Sequence, residues 1–261
     1  MYGIDISNHQ RKIDLSQGSG KFDFAVIKAS EGIWFQDNSY LQFANELVKM
    51  DKLIGVYHFA RPDLHGTVEK MREEADWFIQ CVEKGGLLGK AILVLDWETE
   101  PMDKEDLLTA WVDRVVELTR ITPFIYGSRS KLGKWIKWNV MNRCPIWMAV
   151  WPSIGPLDVG AEYTNEIDSK GVEWDIWQYS ANGRFPGYGG NVDLDVCKWD
   201  REWWMMKARG DMVNEEETLS EDMKWAIEKG LFVGYGDGRY GGKDYLTREQ
   251  LATVLRRVWG D

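Results

Sequence analysis

The sequence predicts an α/β fold: an irregular, TIM-like β/α barrel with helices missing from the later half, followed by a small α-helical C-terminal module. From Tyr2 to Val150, short apolar runs alternate with segments of helical period. After Trp151 the runs follow one another across Gly- and Pro-containing loops with no helical period between them. Several of the runs also end in acidic residues, at the edge where open sheets and barrels of this class carry their active sites.

Taken in order, Tyr2 to Ser7 reads as the first strand, with Asp5 and Ser7 on one side of the pleat and Ile4 and Ile6 on the other. Phe24 to Ala29 is the second strand, running into the loop signal Ser30-Glu31-Gly32. A helix from about Asn38 to Met50 carries Leu41, Ala44, Leu47 and Val48 at helical spacing and leads to a third strand, Leu53 to Phe59, ended by Pro62. Val68 to Val82 is the next helix and Ala91 to Glu98 the fourth strand, its continuous apolar run suited to burial on both faces. A long helix, Lys104 to Thr119, is expected to take Asp103 as its N-cap. Phe124 to Tyr126, a helical Ser130 to Trp138, and Ile146 to Val150 complete the regular part. Trp174 to Gln178 and Asn191 to Val196 are the seventh and eighth strands, and Trp199 to Ala208 is a closing helix. The barrel is expected over 1–208, a charged linker without periodicity over 209–218, and the module over 219–261, where Ser220 and Thr247-Arg248-Glu249-Gln250 supply helix-start signals.

At 261 residues with 44% apolar content, the chain can bury a sizeable core. A net charge of -10 argues against nucleic acid as a partner, because affinity for the phosphate backbone rests on cations. The absence of a run long enough to span a bilayer argues against a membrane. Cys81, Cys144 and Cys197 have neither metal-ligand spacing nor even number, so neither a zinc site nor a disulfide framework is expected. His9, His58 and His65 share no recurrent spacing and are expected to be structural. The 15 Trp serve equally well as core fillers or as platforms for the apolar faces of sugars.

The stretch Leu93-Val94-Leu95-Asp96-Trp97-Glu98 concentrates the chemistry. Alternation along a strand sends Asp96 and Glu98 to the same side, so two carboxylates share one cleft. Neighbouring carboxylates raise one another's proton affinity, which keeps one of them protonated near neutral pH. An isolated pair of this kind also suits a helix cap or a surface salt bridge, but at the end of a long buried strand it stands where open α/β sheets and barrels place their active sites.

With Gly3-Ile4-Asp5-Ile6-Ser7, Ile27-Lys28-Ala29-Ser30-Glu31-Gly32, Tyr57-His58-Phe59, Leu95-Asp96-Trp97-Glu98, Trp177-Gln178-Tyr179 and Val192-Asp193-Leu194-Asp195 in this order, the chain resembles the glycoside hydrolase family 25 lysozymes over about its first 205 residues. The resemblance implies an incomplete β/α barrel that hydrolyses the β-1,4 bond between N-acetylmuramic acid and N-acetylglucosamine in peptidoglycan, with no cofactor and no metal. It makes Glu98 the general acid and Asp96 its partner, with Asp5 and Asp193 as further acids; Asp195 is the alternative to Asp193. Tyr57, Tyr126, Gln178 and Tyr179 match substrate-binding positions. Trp151 stands where the family's W-x-A-x-Y pattern has Tyr, which keeps a stacking face and loses a hydroxyl. The nucleophile implied is the substrate's own acetamido carbonyl.

The C-terminal module resembles a single S-layer homology motif, carried by Trp225-Ala226-Ile227, Gly234-Tyr235-Gly236-Asp237-Gly238 and Leu246-Thr247-Arg248-Glu249-Gln250-Leu251. Trp225, Thr247 and Arg248 are its matched wall-binding positions, and the partner implied is a secondary cell-wall polymer. The combination resembles a phage endolysin, made in the host cytoplasm without a signal peptide and acting on the wall after release. Two other readings are a catalytically inactive wall-binding protein, against which stand the four acids, and a chitinase-like hydrolase, whose D-x-x-D-x-D-x-E signature fails at Leu93 and Val94.

Overall fold

The computed structural model describes residues 1–101, 103–152, 155–161 and 169–210, together with 225, 226, 228, 229, 255 and 256. The chain forms two compact units, Met1–Asp211 and Met212–Asp261. In the second unit, Trp225 and Ala226 are helical, with Trp225 exposed and Ala226 buried. The expected positions Thr247 and Arg248, and most of 209–218 and 219–261, lie outside the described residues.

The first unit is an eight-stranded closed barrel. Its strands are β1 (Tyr2–Ile6), β2 (Phe24–Glu31), β4 (Leu53–Phe59), β5 (Ala91–Asp96), β6 (Phe124–Ser128), β7 (Ile146–Ala149), β8 (Ile176–Arg184) and β9 (Asn191–Cys197), and a two-residue β3 (Phe35–Gln36) folds back on β2. Around the ring the order is β1, β9, β8, β7, β6, β5, β4, β2, closed by pairing of β1 with β2. Helices α1 (Tyr40–Lys49), α2 (Val68–Lys84), α3 (Glu105–Thr119) and α4 (Arg129–Trp135) follow β3, β4, β5 and β6. The amphipathic reading of these segments holds, since Tyr40, Phe43, Ala44 and Leu47 form the buried face of α1. One cap differs from expectation: α3 begins at Glu105 with Lys104 in the cap position and no side-chain cap bond. Glu105 and Asp106 in its first turn supply the negative charge that a helix start favours.

β9 pairs antiparallel with both β8 and β1, whereas the other barrel strands pair in parallel. A parallel neighbour needs a crossover of a dozen or more residues, and only Phe185 to Gly190 separates the two strands, so the chain reverses.

The barrel lumen and the outer layer are distinct cores. Phe24, Val26, Ile92, Val94, Phe124 and Ile176 fill the lumen, while their alternating neighbours, such as Ala25, Ile27, Leu93, Leu95 and Ile125, face the helices. Gly3 leaves the space that Phe24 occupies, since a Cβ there would come within 2.3 Å of the ring. Helix α5 (Arg201–Arg209), capped by Asp200, closes the bottom of the barrel. Trp204 is fully buried with its ring 4.7 Å from Phe24, and its Nε1 donates to the Ile54 carbonyl at 3.2 Å. With packed side chains below, the polar residues can gather only at the other end.

Candidate active site

That end is a cavity of about 200 Å³ lined by Asp5, Ser7, His9, Lys28, Tyr57, Phe59, Asp96, Glu98, Tyr126, Trp147, Gln178 and Asp193. The acids come from three strands. Asp5 sits near the end of β1, directly beside Asp193 of β9 in the antiparallel register. Asp96 ends β5, between Phe59 of β4 and Tyr126 of β6. Glu98 lies two residues past the strand, which stops at Asp96, so the expected strand to Glu98 is shorter and Glu98 stands on the loop. It reaches the same cavity because Trp97 is fully buried and its N–H donates to the Tyr126 carbonyl at 3.3 Å, holding the turn in place.

The antiparallel course of β9 separates its two acids. A strand running downwards puts its earlier residue at the mouth, so Asp193 lines the cavity and Asp195, opposite Gly3, lies beneath it with no exposure. Asp195 accepts a hydrogen bond from Trp147 Nε1 at 2.8 Å, and its Oδ2 accepts none from any donor among the described residues. Gln178 ties the opposite wall together: its Nε2 donates to Asp5 Oδ2 at 2.7 Å, while its Oε1 accepts from Tyr126 and from Trp151 Nε1, both at 3.0 Å. Trp151 leaves most of its indole exposed at the rim.

Tyr179 is elsewhere. It belongs to the outer core, its ring edge-on to Trp177 at 5.9 Å, because adjacent residues of a strand face opposite ways and Gln178 already takes the inward direction. Tyr57 and Tyr126 do line the cavity. Trp147 and Lys28 line it as well; Trp147 was legible, since it shares a pleat face with Ala149 at the strand end, but no charge distinguished it from a core tryptophan.

Burial dominates the electrostatics. Desolvation, reinforced by the Asp193 and Asp195 charges, holds the Asp5 carboxyl well above the usual carboxylate range. Asp96 is likewise raised by burial and by the nearby Glu98 charge, against which the Lys28 ammonium pulls it down. Glu98, at the mouth, is raised by its desolvating surroundings, with a hydrogen bond from Asp96 acting the other way. Asp195 is raised by complete burial. Asp193 is pushed up from 3.8 to about 6, first by burial.

A carboxyl that binds its proton more tightly folded than unfolded stabilises the fold below its unfolded pKa and loses that contribution as pH rises through the folded one. For Asp193 that window runs from about 3.8 to about 6. Asn at 193 carries no charge at any pH, so the melting temperature of Asp193→Asn relative to the unsubstituted protein should climb across that interval and level off above it. Parallel melting curves from pH 3.5 to 7 would show that Asp193 titrates as it does in an unfolded chain.

A buried Ser30-His58-Glu74 series also exists, with Ser30 Oγ and His58 Nδ1 2.9 Å apart and His58 Nε2 and Glu74 Oε2 2.9 Å apart. All three residues are fully buried and none lines the cavity, so the arrangement braces β2, β4 and α2.

A closed barrel whose mouth gathers carboxyls of raised proton affinity between aromatic walls defines a glycoside hydrolase. The family profile described as Glycosyl hydrolases family 25 matches residues 4–188, and the chain belongs to that family. A second profile, S-layer homology domain, matches residues 217–252. Lysozyme M1 of Streptomyces globisporus is 30% identical over 209 residues, a match covering 73% of this chain and 65% of that protein. Among solved structures, the bacterial lysozyme from Streptomyces coelicolor superposes with a TM-score of 0.63 at 26% identity, covering 80% of this chain and 97% of that one. The Clostridium perfringens spore cortex lytic enzyme SleM gives 0.65 at 25%, covering 78% and 69%.

Proposed function

We propose that the protein is a peptidoglycan muramidase, a phage endolysin in type, cleaving the β-1,4 bond between N-acetylmuramic acid and N-acetylglucosamine by acid catalysis with substrate assistance and net retention. The observation that carries this reading is the pairing of Asp96 and Glu98 at one mouth, both raised, one buried and one exposed. Glu98 has access to a glycosidic oxygen and donates the proton. Asp96 behind it has an Oδ1 that accepts no hydrogen bond from a described residue, an acceptor suited to the N–H of the substrate's acetamido group. With that group held by Asp96, its carbonyl attacks the anomeric carbon while Glu98 protonates the leaving oxygen. Asp5 and Asp193 line the facing wall, where a water that opens the intermediate would enter. The bacterial lysozymes among the relatives support the substrate class.

Digesting purified walls and reducing the new ends should yield muramitol, and NMR of the first-formed anomer should show β. A glucosaminitol end would point to the other bond, and an initial α anomer to direct attack by water. The S-layer homology segment is proposed to hold the enzyme to a secondary wall polymer. Walls stripped of that polymer with hydrofluoric acid should then retain far less full-length protein in a sedimentation assay than untreated walls; equal retention would dismiss the assignment.

A further inference from the structure

A second cavity, also about 200 Å³, opens beside the first, between the loops that follow β2 and β4. Trp34 and Leu64 present its exposed apolar surface, 75% and 64% accessible, and Glu31 and Arg61 supply its polar edges. The two cavities share a wall. Lys28, which lines the acidic one, bonds through Nζ to Glu31 Oε2 of the other at 2.7 Å and lies 4.7 Å from the Phe59 ring centroid and 6.0 Å from that of Phe35. The platform is rigidly held: Arg61 bonds Glu31 at 2.7 Å and Asp63 at 2.7 and 2.8 Å, and Glu74 accepts from the Arg61 N–H.

Ring geometry gives the recess its meaning. Trp34 follows β2 and Trp151 follows β7, and three barrel strands separate β2 from β7 in either direction around the ring. The two exposed indoles therefore stand on opposite rims, with the acids between them. We propose that the recess at Trp34 is a distal sugar subsite, in which a further hexosamine of the same glycan strand stacks its apolar face on the Trp34 indole while Glu31 and Arg61 take its hydroxyls. This rests on the muramidase reading above and adds the path of the strand, across the mouth from the Trp151 rim to the Trp34 rim. A neutral sugar fits better than an acidic stem peptide, because the cations bordering the recess, Lys28 and Arg61, are already paired with Glu31 and Asp63. An apolar face with hydrogen-bonding edges is what remains.

The test compares kcat/KM on long glycan strands stripped of their stem peptides with kcat/KM on a short glycan fragment that reaches only the acids. Trp34→Ala should lower the long-to-short ratio about tenfold, as loss of one aromatic stacking contact does, chiefly through KM, and Trp34→Phe should restore most of it. An unchanged ratio overturns the subsite. A loss confined to strands that still carry peptides also overturns it, and assigns the recess to the stem. Failure of the unsubstituted protein to cleave any glycan would instead overturn the muramidase reading, and the subsite with it.

Discussion

Glu98→Gln should lower the rate of wall hydrolysis by roughly 10² to 10⁴, the usual contribution of a positioned general acid, without lowering the melting temperature. The amide keeps the volume and the reach of the side chain but has no acidic proton to pass to the leaving oxygen. Glu98 stands on a loop at the mouth and is exposed, so little packing depends on it. The buried Asp96 behind it retains its own raised proton affinity but lies beneath the mouth, where it cannot replace the donor. Turbidity loss of purified walls, with a thermal melt of the same preparation, checks both halves of the statement. Lysis at the unsubstituted rate would remove Glu98 from the acid role.

A second large effect falls away from the site, at Glu74. Its carboxylate is fully buried and is met by His58 Nε2 at 2.9 Å, by His65 Nδ1 at 2.5 Å, and by the Arg61 N–H at 3.1 Å. His58 lies between aromatic side chains, its ring 5.6 Å from Trp111 and 5.7 Å from Phe78, and neither can replace the lost acceptor. Removing one partner of a buried charged network costs about 3–5 kcal/mol, which is a large share of a typical stability of about 5–15 kcal/mol. Glu74→Ala should shift the urea midpoint down accordingly with an unchanged slope, and Glu74→Gln, which keeps an acceptor, should lose less. A shift below about 1 kcal/mol would mean that the network contributes no more than a surface ion pair does. The same network anchors the loop that bears Arg61, so its loss should also loosen the recess at Trp34.

Much of this molecule is written in local patterns. The apolar run Ala91 to Leu95 marks a strand buried on both faces because no polar side chain interrupts it, and all six residues of β5 are buried. The parity of a pleat puts Asp5 with Ser7 on one side, and both line one cavity. It also sends Gln178 and Tyr179 to opposite faces, so the two positions that the family likeness assigns to one pocket divide between the cavity and the outer core. Carboxylates at successive strand ends, together with the loss of helical period between the apolar runs after Trp151, describe an acid-mouthed irregular barrel before any coordinate is known.

Tertiary structure decided the rest, because parity says which residues share a face but not which end of a strand faces the solvent. Asp193 and Asp195 have equivalent positions in the pleat, and only the reversal of β9 between β8 and β1 raises the first to the mouth and sinks the second beneath it. The hydrogen bond that joins Gln178 to Asp5, and the alignment of Trp34 with Trp151 across the ring, likewise depend on pairings between residues far apart in the chain. Such pairings are selected by the packing of the whole barrel, whose free energy no single segment carries.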